Sequence, residues 1–185
     1  ILPRLVGWEM CIRDRHQVVA GVLLVHLDKK VRVRAEVQFR LAPTKDAQPL
    51  PGLKQLAALK GEAKAGREVF SKRGQCAVCH RIGDEGKSVG PDLSHIGTKL
   101  ARTALFEAIL YPSAAISHDY ENYIAKLTGG GSVIGLLVNQ SDREIQLRDS
   151  LGNLQTLERA RVISFDRLPI SLMPANLHQL MTTQE

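Results

Sequence analysis

The sequence predicts a mainly helical fold into which a small antiparallel β-sheet is inserted, α+β overall. Three observations lead there. Apolar residues recur at helical spacing in 62–72 and 100–110. Residues 120–165 switch to alternation broken by glycine-rich turns. A stretch marked by Pro43, Pro49, Pro51 and Gly52 separates both from what comes before.

The chain has 185 residues, enough for one domain comfortably, or for one domain plus a fragment. Its longest apolar run, Val18 to Leu27, has ten residues and includes His26. That is far short of the roughly 20 needed to cross a bilayer, so no membrane span is expected. The chain lacks an initiator Met, so the absence of a visible secretory signal says nothing about compartment. The formal charge of +6 is unevenly divided. Residues 1–75 hold 15 Lys and Arg against 7 Asp and Glu, whereas 76–185 hold 10 against 12. The second part has no basic stripe and few aromatics, so no nucleic-acid partner is expected.

Residues 1–15 fit nothing that follows. Within them, Gly7-Trp8-Glu9-Met10-Cys11-Ile12-Arg13-Asp14-Arg15 resembles translated sequencing-adapter sequence. The stretch is read as a non-native artefact, and Trp8 and Cys11 carry no functional weight. Residues 16–44 read as a helical remnant, with helices over 17–27 and 30–41. Asp28-Lys29-Lys30-Val31-Arg32-Val33-Arg34-Ala35 resembles the D-x-x-V-R-x-x-A signature of HEAT repeats. One such repeat cannot bury its face alone, so the stretch reads as the last of a larger array. Residues 45–60 are a linker with short helical potential at Leu53, Leu56 and Leu59.

From 61 to 185 the organisation changes. Glu62 to Lys72 forms a helix with Gly66 and Phe70 on one face, and Arg81 to His95 is a loop. Leu100 to Leu110 is a helix ended by Tyr111-Pro112. Three to five strands are expected over about 120–165, at Tyr120 to Leu127, Val133 to Val138, Ile145 to Leu147 and Val162 to Phe165. A short helix around 176–181 closes the chain.

Cys76-Ala77-Val78-Cys79-His80 is the most informative stretch, because C-x-x-C-H is the attachment site of c-type haem. Two thiols one helical turn apart add across the two vinyl groups of the haem, and the histidine that follows ligates the iron. Met173, in Ser171-Leu172-Met173-Pro174, is the best candidate for the sixth iron position; His95 and His118 are its rivals, and His16, His26 and His178 receive no role. Met173 lies 93 residues past His80; setting aside the 46 residues of 120–165 leaves 47, a length over which helices can return to the iron. Pro91, in Gly90-Pro91-Asp92-Leu93, offers a carbonyl that accepts the proton of the other His80 ring nitrogen and so orients the ring.

Together, Gly66, Phe70, Cys76–His80, Gly90–Leu93 and Met173-Pro174 resemble a class I-type cytochrome c domain. The likeness is closest to the C-terminal haem-binding domain of large multidomain proteins of Planctomycetes and Verrucomicrobia. Val89 to Leu93 is similar to that family's V-G-P-D-L, Ile109 to Ser113 to its I-L-x-P-S, and Ser171 to Pro174 to its S-L-M-P. The resemblance implies a cytochrome c fold, one covalently attached haem c and single-electron transfer in the periplasm or another extracytoplasmic space. It also implies an electron-transfer domain rather than an enzyme, serving redox donor and acceptor proteins or a fused dehydrogenase domain. Family members continue into a last helix, so the haem domain at 61–185 reads as truncated at its C-terminus.

Two alternatives stay open. One is a haem-based sensor or enzyme whose distal site is open to a small molecule. The other is a non-haem zinc or dithiol interaction module built on Cys76 and Cys79, for which only His80 and His95 are at hand to complete four ligands.

Overall fold

A computed structural model describes residues 41–185. The stretch read as non-native at 1–15, and all but the end of the stretch read as a HEAT-like remnant at 16–44, lie outside the described residues. The stretch read as a linker carries a helix, α1 (Leu53–Ala58). Its start is held by the Gln55 side chain, which accepts the Gly52 N–H at 3.2 Å. Leu56 is buried on its inner face.

The helix expected over 62–72 forms in two parts. α2 (Ala63–Glu68) is regular, and Val69–Arg73 then widens into a π-helical turn. Gly74 closes that turn through its N–H to the Val69 carbonyl at 2.7 Å. The loop that follows holds a short hairpin, β1 (Arg81–Ile82) with β2 (Glu85–Gly86), and a one-turn helix, α3 (Ile96–Lys99). α4 (Arg102–Leu110) is the longest helix among the described residues. It packs against α1, and Arg102 Nη2 donates to the Leu59 carbonyl at 2.9 Å.

Five antiparallel strands then form one sheet: β3 (Asn122–Leu127), β4 (Ser132–Gln140), β5 (Glu144–Arg148), β6 (Leu154–Glu158) and β7 (Val162–Leu168). Their order is β6-β5-β4-β3-β7, so the last strand returns to pair with the first. Gly129, Gly130 and Gly131 all have positive φ, which is why the β3–β4 turn is built from glycine. Ala125, Ile145 and Leu147 are wholly buried, and Tyr123 stacks on Phe165 with ring centroids 4.9 Å apart. The sheet therefore has a core of its own.

That core corrects the expectation of a mainly helical fold. Helix makes up 28 % of the described chain, and a five-stranded sheet dominates its second part. The physical reason lies in the breakers: Gly61, Gly74, Gly90-Pro91 and Pro112 keep the helices short. β6 is a further difference, because its burial gives no alternation to read. The β4–β5 pairing carries one close approach and one irregularity: a Cβ on Gly135 would lie 2.5 Å from the Arg148 carbonyl oxygen, and the register slips between Leu137 and Asn139.

After β7 the chain returns to the helices. The expected terminal helix is a single 3-10 turn, Leu177–Leu180, which packs on α4. Thr182 and Glu185 exchange backbone-to-side-chain hydrogen bonds, and the Glu185 carboxylate pairs with Arg73. No helix of the described residues is long and apolar enough to cross a membrane.

Candidate functional site

The site is built where the π-helical turn ends. Gln75 adopts a left-handed conformation and directs the chain into a 3-10 turn, Cys76–Val78. The Cys76 carbonyl accepts the N–H of both Cys79 (3.1 Å) and His80 (2.8 Å), which places the two cysteines one turn apart. Both thiols are free and half-buried. Burial is the main cause that pushes their pKa values up; Lys87 partly offsets it at Cys79.

His80 is gripped by the loop that follows it. Its Nδ1 lies 2.8 Å from the Pro91 carbonyl oxygen. A carbonyl only accepts, so Nδ1 carries a proton, and in the neutral ring Nε2 keeps its lone pair. Gly90 lies against the ring, and a Cβ there would come within 2.8 Å of His80 Cε1. Gly86 is needed for the same kind of reason: with φ +95, a Cβ would fall 2.1 Å from the His80 carbonyl oxygen.

Backbone bonds lace this loop to the motif. Val89 and Gly90 both donate to the Cys79 carbonyl, at 3.0 and 2.7 Å, and Lys87 donates to Ala77 at 3.0 Å. Side chains reinforce it. Asp92 accepts from the Ser94 hydroxyl and N–H and from Arg81, and these bonds, Ser94 first, hold its carboxyl far below the usual range. Glu85 accepts from the Ser71 hydroxyl and from Arg67, which lowers its pKa and ties the β1–β2 hairpin to the π-helical turn.

Met173 lines an apolar cavity. The cavity has a volume of about 190 Å³, and Cys76, Val69, Phe70, Leu110 and Met173 are among its walls. Met173 is held in place through Ser171, whose hydroxyl accepts the Met173 N–H at 3.1 Å and whose own N–H donates to Ser113 Oγ at 3.0 Å. Cys76 and Met173 thus share the cavity, whereas Cys79 and His80 do not line it. His95 caps α3 and is exposed, and the side chain of His118 is 88 % exposed beside Asp119 and Glu121. Neither borders the cavity.

Two cavity residues escaped the sequence reading. Met181 is a second thioether in the wall. His178 is only 4 % exposed; its Nε2 bonds the Ala42 carbonyl at 2.9 Å, and its Nδ1 is buried with no hydrogen-bond partner. No local pattern signals this burial, because the partner lies 136 residues away along the chain.

The family model described as Cytochrome c matches residues 63–144. That span runs from α2 through the Cys76–His80 motif and α4 to the start of β5, and it carries a cytochrome c domain. With the domain goes covalently attached haem c as its cofactor. No curated protein matches the chain. The residues present fit such a group: two free thiols one turn apart, an imidazole with a bare Nε2, and an apolar cavity beside Cys76.

Proposed function

We propose that the chain attaches one haem c through Cys76 and Cys79, with His80 and Met173 as the axial iron ligands, and serves as a single-electron carrier. The observation that carries this reading is the His80–Pro91 hydrogen bond at 2.8 Å, which leaves the ligating nitrogen bare beside the two thiols. Each thiol adds its S–H across one vinyl group: sulfur bonds to one carbon and the hydrogen goes to its neighbour. Bound haem supplies an iron that takes up and releases one electron. Pro91 keeps the His80 ring oriented, and Ser113 and Ser171 hold the Met173 segment beside the cavity. A thioether ligand from Met173 together with the His80 imidazole would favour the reduced iron and suit electron transfer.

The haem unit spans 61–185, behind a HEAT-like remnant at 16–44. Covalent attachment takes place outside the cytoplasm, so the domain works in an extracytoplasmic space. It receives electrons from a fused or docked dehydrogenase and passes them to another protein. The zinc alternative is short of ligands: among the described residues, no three or more His, Cys, Asp and Glu side chains gather to hold a metal ion.

The test is an absorption spectrum, oxidised then reduced, of protein made in a host with c-type maturation, with a denaturing gel stained for haem. Haem retained on the gel, sharp low-spin bands in both states and a methionine-to-iron charge-transfer band lost in Met173→Ala are the expected results. Covalent haem with a high-spin spectrum would remove Met173 as a ligand. No covalent haem after correct maturation would overturn the whole reading.

A further inference from the structure

The β5–β6 turn, residues 149–153, reaches across to the haem motif. Three separate contacts make the junction. The Ser150 carbonyl oxygen lies 3.9 Å from Cys79 Sγ. Arg148 Nη1 donates to the Ser88 carbonyl at 3.2 Å. Gly152, with φ +91, lies so close to the buried Val89 that a Cβ there would come within 3.1 Å of Val89 Cγ2. Ser88 and Val89 belong to the loop whose N–H groups at Val89 and Gly90 grip the Cys79 carbonyl. The sheet therefore touches Cys79 itself and also the backbone that holds it.

The turn is stiff enough to act on what it touches. Asp149 Oδ1 accepts the N–H of Leu151 and of Asn153, each at 2.9 Å, and Oδ2 accepts from Asn153 Nδ2 at 3.1 Å. The Asp149 N–H donates to the Asn153 carbonyl at 3.0 Å, and the Gly152 N–H to the Asp149 carbonyl at 3.0 Å. At its tip Leu151 is 66 % exposed, and Val78, between the two cysteines, is 45 % exposed. Both add apolar surface next to the motif.

We propose that this turn is one wall of the haem site on the Cys79 side, so that the sheet sets how far the attached haem edge meets water and thereby tunes its reduction potential. The inference rests on the assignment of Cys79 as an attachment residue. Solvent exposure is one of the levers that sets a haem potential, because water stabilises the more highly charged oxidised iron. A wall that excludes water raises the potential, and loosening it lowers the potential.

Asp149→Ala, which removes the three hydrogen bonds to the Asp149 carboxylate, and Gly152→Val, which forces the turn off Val89, test the proposal in the haem-loaded full chain. Ile163→Ser, at an exposed position of β7, is the control. The potential is measured together with amide hydrogen exchange at Val89, Gly90 and the sheet-core Ala125. A lower potential and faster exchange at Val89 and Gly90 in both variants, with Ala125 and the control unchanged, is the expected result. If exchange at Val89 and Gly90 quickens and the potential stays at the wild-type value, the wall does not tune the haem. If neither moves in either variant, the turn does not support the motif, and the proposal falls. Absence of covalent haem in the wild-type chain would instead overturn the attachment assignment, so the two failures are distinct.

Discussion

At the scale of the residue, the site depends on positions where a side chain has no room. Gly90 is the sharpest case. Gly90→Ala puts a methyl group 2.8 Å from His80 Cε1, so the ring must turn away from the Pro91 carbonyl. The expected outcome is a weakened low-spin spectrum in the haem-loaded protein, read by absorption, with haem still bound on a denaturing gel. Glu85 gives a prediction about protonation. Its folded pKa is lowered by the Ser71 hydroxyl first and Arg67 second, against about 4.3 for a free glutamate. Its contribution to stability is thus complete above the unfolded value and disappears as pH falls through the lower folded value. Ser71→Ala raises the Glu85 pKa towards that of a free side chain, which a carboxyl NMR titration follows; an unmoved titration would contradict the bond. His178 is the third residue of note. His178→Phe removes the donor to the half-buried Ala42 carbonyl, and losing that hydrogen bond costs about 0.5–1.5 kcal/mol, measurable by urea unfolding.

At the scale of the element, the sheet and the helices each depend on a few contacts. Ile145 and Leu147 alternate on β5 and are wholly buried, so they carry the sheet's core. Leu147→Ala costs about 2–5 kcal/mol by removing packed atoms and leaving a cavity. Urea unfolding followed by the near-ultraviolet signal of Tyr123 and Phe165 measures it, and a loss below about 1 kcal/mol would deny the core its place. The segment before the terminal 3-10 turn hangs on a different kind of contact. Ser113, just past α4, accepts the N–H of Ser171, so Ser113→Ala frees the chain that carries Met173. In the proposed reading the methionine-to-iron band then weakens while the haem stays covalently bound. A band of full strength would show that the Met173 segment needs no such anchor.

At the scale of the whole molecule, the helices leave an apolar cavity that protein atoms do not fill. Close packing is the ordinary condition of a protein interior, so the haem-free chain is expected to be the weaker state. Haem-loaded protein should therefore melt at a clearly higher temperature than the same full chain made without haem, by circular dichroism. Equal melting temperatures would mean that the cavity belongs to no bound group. No residue of the sheet is among the walls named for that cavity, yet the sheet joins the motif at Cys79, Ser88 and Val89. It is a second structural layer around the site, with its own core.

Much of the candidate site could be read in the sequence because its residues are neighbours in the chain. Cys76, Cys79 and His80 must be close in the chain to share one turn, so their spacing alone pointed to haem. The Gly90-Pro91 pair carried its own turn signal, and the alternation at 133–138 and 145–147 announced β4 and β5. Other features depend on residues far apart in sequence. β6 shows no alternation, the mainly helical expectation failed against a self-contained sheet, and His178 is buried by a segment 136 residues away. The contact of the β5–β6 turn with Cys79 spans 71 residues. Sequence by itself determined the C-x-x-C-H spacing and the local turns, since short-range sterics and bonding set them. Only the tertiary structure decided the balance of helix and sheet, the wall beside Cys79 and the cavity, because long-range packing decides which distant surfaces meet.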